Sequence, residues 1–151
     1  MGVYITTSKS AGKHALSLCQ GLASILPNSI FERRGNKTIE KAVARARLLG
    51  KPRALIASDD ELHFFKVGAN SWEWLEPAIT VNKAEFAKAA EDLPAELKLE
   101  GESAKMWLSL LNPAEPEGDD FIVAKCKKGS ISFAYGRKKL GEVRFSHGSE
   151  H

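Results

Sequence analysis

The sequence predicts an α/β protein in which a strand-helix-strand-helix unit is followed by an antiparallel meander. Its 151 residues, 43% of them hydrophobic, suffice for one core of ordinary size or for two small halves packed together. Up to residue 58, short β-branched runs alternate with stretches of helical period, which favours parallel strands joined by right-handed crossovers. After residue 120, three short runs separated by turn residues indicate the meander.

The first strand is predicted at Val3 to Thr7, where the residues are β-branched or aromatic and none is charged. A turn from Ser8 to Lys13 leads into a helix that ends at Pro27. The apolar face of this helix comprises Ala15, Leu18, Cys19, Leu22, Ile25 and Leu26. These features predict a buried strand followed by an amphipathic helix.

The second strand is predicted at Ser29 to Phe31 and the third at Arg53 to Ser58. Between them, Thr38 starts a helical pattern. Its apolar face comprises Ile39, Ala42, Val43, Ala46 and Leu49. The three strands are therefore expected to lie parallel, with both helices starting at their carboxyl ends.

A hairpin is predicted next, with strands at Leu62 to Val67 and Trp72 to Val81. Asp59 to Glu61 are expected in the turn that leads into it, and Gly68 to Ser71 in the turn between its strands. Trp72 and Trp74 point to one side of the second strand. We interpret them as covering the core, because Glu73 and Glu76 beside them disfavour base stacking.

Two helices are predicted before the meander. Asn82 to Glu85 form a capping-box-like start for a helix carrying Phe86, Ala87, Ala90 and Leu93, closed by Pro94. Ser103 caps a segment carrying Met106, Trp107, Leu110 and Leu111, terminated by Asn112-Pro113. The meander strands follow at Phe121 to Lys127, Ser130 to Tyr135 and Leu140 to Phe145. No internal repeat is evident in this order of elements.

We expect one domain over residues 1–151, with an N-terminal half of about 1–81, a C-terminal half of about 82–148 and a short tail at 149–151. No apolar stretch approaches the roughly 20 residues that span a bilayer, and no signal peptide is evident, so neither a membrane partner nor secretion is expected. Cys19 and Cys126 are expected to be buried free thiols in a reducing compartment.

Charge is unevenly distributed along the chain although the net charge is only +3. Residues 1–53 carry ten Lys/Arg against two Glu, a net charge of +8. Residues 54–120 have a net charge of −10, and residues 121–151 a net charge of +5. This polarity indicates a basic face for a polyanion and an acidic surface elsewhere, although solvated charge alone is the alternative.

Basic residues gather where the two predicted helices begin. Parallel strands bring both helix N-termini to one edge of the sheet, where backbone N–H groups and the helix dipole favour an anion. Five cations are expected to converge there: Lys9, Lys13, Arg33, Arg34 and Lys37. Gly35 permits a backbone conformation closed to other residues, and Ser8 and Asn36 offer hydrogen bonds. The pattern predicts a phosphate site, with a solvated basic loop as the alternative.

A second basic cluster, Arg137, Lys138 and Lys139, lies in the last predicted turn. Lysines at such turns often protect sheet edges from association. A second phosphate-contacting patch is the alternative that we carry forward.

Catalytic and metal signatures are not evident. Gly12-Lys13 follows a strand as in a P-loop, but Thr7 and His14 stand where the first glycine and the magnesium-binding hydroxyl would be. The four histidines form no metal-ligand spacing with either cysteine, so neither a metal nor a cofactor is predicted. Asp59 and Asp60 beside the basic edge support a magnesium-dependent phosphotransfer enzyme as the best catalytic alternative.

The N-terminal third resembles the Brix domain family of ribosome-biogenesis proteins. The matching features are Ile5-Thr6-Thr7-Ser8-Lys9, the helix ending in Leu26-Pro27-Asn28-Ser29, and Arg34-Gly35-Asn36-Lys37 before a second helix. The length is close to that of the short, stand-alone archaeal-type members. The resemblance implies two similar α/β halves like the anticodon-binding domains of tRNA synthetases. It also implies a non-catalytic protein that binds ribosomal RNA or its precursor and assists subunit assembly.

These implications agree with the charge pattern, so we predict an RNA-binding protein without catalysis or specificity for DNA. Other ribosome assembly proteins are expected as further partners. The expected location is the cytoplasm, or the nucleolus in a eukaryote. A protein-interaction scaffold that uses the acidic middle with Trp72 and Trp74 is the remaining alternative.

Overall fold

A computed structural model describes residues 2–88 and 92–147 of the chain. Within these residues it contains three helices and one ten-stranded sheet. The elements are β1 (Val3–Thr7), α1 (Lys13–Ile25), β2 (Ile30–Phe31), α2 (Ile39–Leu48), β3 (Arg53–Ser58), β4 (Glu61–Val67), β5 (Trp72–Trp74), β6 (Ile79–Phe86), β7 (Leu97–Glu100), α3 (Ala104–Leu111), β8 (Ile122–Lys127), β9 (Ser130–Tyr135) and β10 (Lys138–His147). The strand order is β2-β1-β3-β4-β6-β10-β9-β8-β7, and β5 pairs with β4 beside this path. None of the helices in these two ranges is long and apolar enough to cross a membrane.

The first half is a sheet covered on both faces by helices. β1 is parallel to β2 on one side and to β3 on the other, as the sequence predicts. Because strand side chains alternate between faces, Ile5 and Leu55 pack with α1, whereas Tyr4 and Ala54 pack with α2. β3 and β4 form an antiparallel hairpin whose turn holds Asp59 and Asp60, whereas Glu61, also expected in this turn, is the first residue of β4.

β6 connects the two halves of the sheet. Its first residues pair with the start of β4, where Leu62 faces Ile79, and the whole strand is antiparallel to β10. The predicted hairpin strand from Trp72 to Val81 is therefore divided into β5 and β6. The division of the chain into halves near residue 81 stays a prediction, and residue 81 lies within this shared strand.

The helix predicted from Asn82 is wrong, because residues up to Phe86 belong to β6. The pairing with β10 passes from Val81–Phe145 to Lys83–Arg144, so Asn82 is an extra residue that forms a β-bulge. The bulge interrupts the alternation of apolar and polar residues along the strand. The spacing of the apolar residues that remains resembles that of a helix. Ala90, assigned to the same helix, and the tail at 149–151 lie outside the described residues.

The second half repeats the strand-helix-strand order of the first. The sequence did not predict β7, which is parallel to β8 and connected to it through α3. β9 and β10 then continue antiparallel, as predicted for the meander. When β2, α2 and β5 of the first half are left out, the order β1-α1-β3-β4-β6 matches β7-α3-β8-β9-β10, which is the duplication that the family resemblance implied.

α1 lies between the two halves, and one hydrophobic core runs through both. The core combines residues of β1, α1 and β3 with residues of α3, β8, β9 and β10. A Cβ at Gly21 of α1 would clash with the ring of Phe86, so the absence of a side chain lets β6 approach the helix. The last turn of α1 likewise packs against Gly141 through Ile25.

Candidate nucleic-acid interface

An open groove of about 560 Å³ lies at the carboxyl edge of the parallel strands. The loop after β1 forms one wall and the loop after β2 forms the other, because parallel pairing brings both loops to the same edge. Four cations and no carboxylate line the groove. They are Lys9, Lys13, Arg33 and Arg34. Ser8, Gly35 and Asn36 also line it, so the structure brings together all but one of the residues predicted at this edge.

The N-terminus of α1 opens into the groove. Gly12 is the N-cap residue and provides no side-chain cap, and the first intrahelical bond runs from Leu16 N to Gly12 O. The N–H groups of Lys13, His14 and Ala15 precede that bond, and no acceptor within the described ranges pairs with them. They are therefore free to donate to an anion, and the helix dipole favours its negative charge.

Arg34 holds the two walls of the groove together. Its Nη1 donates to the carbonyl oxygen of Thr7 at 3.0 Å, and its Nε donates to that of Lys37 at 2.6 Å. Only 7% of its surface is exposed, and in the described part of the chain no carboxylate forms an ion pair with it. Arg34 therefore contributes both a brace and an uncompensated positive charge to the groove.

Lys37 belongs to the same loop as Arg34 but does not line the groove. Its ammonium donates to the carbonyl oxygens of Arg33 at 3.1 Å and Arg34 at 3.5 Å. The next residue, Thr38, caps α2 by accepting a hydrogen bond from Lys41 N. The sequence predicted two helix N-termini at this site, whereas in the structure only that of α1 lines the groove.

Glu32, the acidic residue of the basic turn, is neutralised next to the groove. Its carboxylate accepts two-pronged hydrogen bonds from Arg45 at 2.8 to 3.1 Å and a further one from the Tyr4 hydroxyl at 3.0 Å. The bonds from Arg45, followed by the bond from Tyr4, hold the pKa of Glu32 below its usual range. Glu32 thus fixes the end of β2 without opposing an anion in the groove.

The remaining cations of the groove are exposed and available. Lys9, Lys13 and Arg33 are solvent-exposed, and no described carboxylate lies within ion-pair distance of them. Ser8 N donates to the carbonyl oxygen of Ala57 at 2.8 Å, which fastens the first loop to β3. The positive charge is therefore carried by exposed side chains on an anchored backbone.

The second predicted cluster, Arg137, Lys138 and Lys139, lies apart from the groove. All three residues are exposed, and none lines it. Gly141, two residues further on, packs against Ile25 at the opposite end of α1. A helix of this length separates its two ends by about 18 Å, so the structure does not unite the two clusters.

A row of cations on the second half was missed in the sequence. Lys127, Ser130, Arg144 and Lys83 are directly paired across four strands, and the three cations among them are exposed. The alternation of lysines along β8 was the available signal, but it does not reveal which strands are neighbours. Only the register places these residues side by side.

Other candidate chemistry does not meet at the groove. Asp59 and Asp60 are exposed in the β3–β4 turn, and they do not line it. Within residues 2–88 and 92–147, no three His, Cys, Asp or Glu side chains come together as a metal site. Both cysteines are buried free thiols, as expected. Burial raises the pKa of Cys19 to about 12 and that of Cys126 to about 11.

Comparisons with known proteins identify the fold. No family model matches the sequence, and no curated protein matches it at a significant level. A "probable ribosomal biogenesis protein" from Aeropyrum pernix K1 superposes with a TM-score of 0.81 at 15% identity, over 98% of this chain and 97% of that one. Mil, an archaeal Imp4-like protein, superposes with a TM-score of 0.69 at 15% identity, over 97% and 99% of the two chains. These likenesses confirm the Brix-type fold that the sequence resemblance implied.

Proposed function

We propose that this protein is a non-catalytic RNA-binding protein that assists ribosome biogenesis. Two proteins that share its fold over nearly their whole length are named for ribosomal biogenesis and for likeness to Imp4. The observation that carries RNA binding is the groove itself, which combines four cations, an open helix N-terminus and no carboxylate. Its ligand is the phosphate backbone of ribosomal RNA or its precursor, bound in the cytoplasm together with other assembly proteins.

The groove suits a sugar–phosphate backbone better than it suits bases. Amide N–H groups at a helix N-terminus and flexible lysine ammonium groups bind phosphate oxygens regardless of sequence. No aromatic side chain lines the groove, so it offers no platform for stacking a base. Ser8 and Asn36 add polar groups that can hydrogen-bond a ribose 2′-hydroxyl, which is the group that distinguishes RNA from DNA.

Arg137, Lys138 and Lys139 form a second contact for a longer RNA in this proposal. Because they lie about one helix length from the groove, they contact a different part of the same molecule. A short oligoribonucleotide that fills only the groove does not reach them.

The alternative of a magnesium-dependent phosphotransfer enzyme finds no support in the position of its residues. Asp59 and Asp60 lie in the β3–β4 turn outside the groove, so they do not face a phosphate bound there.

The proposal is tested by the salt dependence of RNA binding. Each phosphate neutralised by a cation contributes about 0.7 to 0.9 to the slope of log K against log salt. In a variant with Lys9, Lys13 and Arg33 changed to Ala, affinity for structured ribosomal RNA should fall and the slope should flatten by about 2. Equilibrium binding at several salt concentrations measures both quantities.

The variant with Arg137, Lys138 and Lys139 changed to Ala is the matched control, because it removes the same charge elsewhere. It should bind a short oligoribonucleotide like the unchanged protein and lose affinity only for long RNA. A groove variant whose slope equals that of the unchanged protein would refute the groove as the RNA site.

A further inference from the structure

The sheet face that carries α2 is only partly covered by it. α2 packs on Tyr4, Ala54, Ile56 and Phe65 of strands β1, β3 and β4, whereas β5 continues the sheet beyond β4. Trp74 is directly paired with Phe65 on this face and remains 46% exposed. An exposed tryptophan beside an otherwise buried aromatic cluster points to a contact surface.

The neighbouring rings leave the faces of the Trp74 indole unstacked. Phe65, Trp72 and His63 lie 5.3, 5.5 and 6.0 Å from it, with interplanar angles of 73°, 80° and 77°. Within the described residues, none of these rings lies parallel to it. With 46% of its surface exposed, the indole keeps an area to which a cation can bind.

The chain segment that contains Trp74 is acidic. Residues 59–78 contain five carboxylates and a single lysine, a net charge of −4, and all five carboxylates are exposed. They are Asp59, Asp60, Glu61, Glu73 and Glu76. Glu73 lies on the opposite face of the sheet from Trp74, where it is paired with Lys66, and Arg47 donates to the carbonyl oxygens of Gly68 and Ser71. Glu61 lies on the same face as His63, and its Oε2 is 3.5 Å from His63 Nε2. A polyanion would be repelled from this surface, whereas a cationic chain would be attracted.

We propose that the surface formed by Trp74, His63, Glu61 and Glu76 binds an arginine-rich segment of a protein partner. A guanidinium is planar and weakly hydrated, so it stacks on an indole while it donates to a carboxylate. Glu61 contacts His63, whose ring lies 6.0 Å from that of Trp74, and Glu76 follows Trp74 by two residues in the chain. This surface is separate from the groove, so the protein can hold RNA and a basic protein segment at the same time.

The test is a calorimetric titration of the protein with an arginine-rich octapeptide. The unchanged protein should bind the peptide, and Trp74→Ala should weaken binding by about threefold to tenfold, as expected from losing a cation–π contact at a partly exposed ring. The double variant Glu61→Gln/Glu76→Gln should weaken peptide binding to a similar extent. It leaves the side chains of the aromatic cluster unchanged. A lysine peptide of equal charge should bind less tightly, because ammonium groups lack the planar fork.

Two controls separate this surface from non-specific attraction. Leu108→Ala removes another exposed apolar side chain, and Glu115→Gln removes a distant exposed carboxylate. Both should leave peptide affinity unchanged. Equal affinity in Trp74→Ala, or an equal loss in Glu115→Gln, would overturn the proposal.

RNA serves as the second probe on the same variants. Trp74→Ala should bind ribosomal RNA like the unchanged protein. A loss of RNA affinity instead of peptide affinity would assign this face to RNA and overturn the proposal. RNA affinity and peptide affinity are measured in separate titrations. The peptide result therefore tests the Trp74 surface even if the groove does not bind RNA.

Discussion

Arg34 shows how far a residue's task depends on the atoms around it. The sequence places it among the cations that contact phosphate, and it does line the groove. Its guanidinium, however, is occupied by the carbonyl oxygens of Thr7 and Lys37, which belong to the two walls. Its main contribution is therefore the spacing between the walls, and the exposed cations Lys9, Lys13 and Arg33 are left to contact the ligand.

The bracing role predicts that Lys cannot replace Arg34. Arg34→Lys keeps the charge but loses the planar fork that reaches both carbonyl oxygens. We expect the free energy of unfolding to fall by about 1 to 3 kcal/mol and RNA affinity to fall with it, while the salt slope stays the same. Denaturant unfolding and RNA titrations measure these effects. Full RNA affinity in Arg34→Lys would instead show that charge alone matters.

The two cysteines are predicted to be inert in the folded protein. Burial raises the pKa of Cys19 to about 12 and that of Cys126 to about 11, so almost no thiolate is present at pH 8. A thiol reagent should label neither residue until denaturant is added, and should then label both. The variants Cys19→Ala and Cys126→Ala identify the reacting residue if one is labelled early, which would contradict the burial.

The same raised pKa values predict a loss of stability in alkali. Above the ordinary thiol pKa of 9.0 the unfolded chain releases its thiol protons, whereas the folded chain retains them up to about pH 11. The folded state then binds more protons than the unfolded state, so stability falls as the pH rises through this window. Removing both thiols should reduce that part of the pH dependence.

At the scale of elements, α1 carries both the core and the candidate site. Its apolar face is buried between the two halves, while its N-terminus lacks a side-chain cap. Gly12 at the cap position is exposed, and no atom lies within 4 Å of where its Cβ would be. A capping residue would therefore fit without a clash, which suggests that the open N-terminus serves binding.

Gly12→Asp should raise the stability of the protein and lower its RNA affinity. The aspartate caps α1 and complements its dipole, which should raise the free energy of unfolding by a few tenths to about 1 kcal/mol. Its negative charge stands at the proposed phosphate position, so RNA affinity should fall. Thermal unfolding and RNA titration measure the two effects.

Gly12→Asn is the matched control, because it caps the helix without a negative charge. It should be stabilised like Gly12→Asp but lose less affinity. Equal RNA affinity for the Asp and Asn variants would contradict a phosphate at the N-terminus of α1.

At the scale of the whole molecule, the two halves share one core and one strand. β6 pairs with both β4 and β10, and residues of both halves belong to the same buried cluster. Neither half can therefore unfold without exposing apolar surface of the other.

We therefore expect one cooperative unfolding transition. The unfolding curve followed by far-ultraviolet circular dichroism should coincide with the curve followed by tryptophan fluorescence. That fluorescence comes from Trp72 and Trp74 in the first half and from Trp107 in the second. Phe133→Ala in the second half should lower the free energy of unfolding by about 3 to 5 kcal/mol and shift both signals together. Two separate transitions would show that the halves are independent units.

Patterns local to the chain were sufficient for most of the fold. Strand β1, the apolar faces of α1 and α2, the β4–β5 hairpin and the meander strands follow from hydrophobic period and turn residues. The convergence of Lys13 and Arg34 on one groove also follows, because parallel strands bring successive loops to one edge. The charge pattern predicted that this site would be positively charged but did not predict the shape of the groove.

The remaining features were decided by contacts between residues distant in sequence. Strand β6 replaced a predicted helix because β10 supplies backbone partners that local preference cannot anticipate, and the bulge at Asn82 hid its alternation. The conformations of the surrounding loops determine the different positions of Arg34, Lys37 and Arg137. A cation has the same charge wherever it stands, so only the folded chain determines whether that charge braces a loop, faces a ligand or faces solvent.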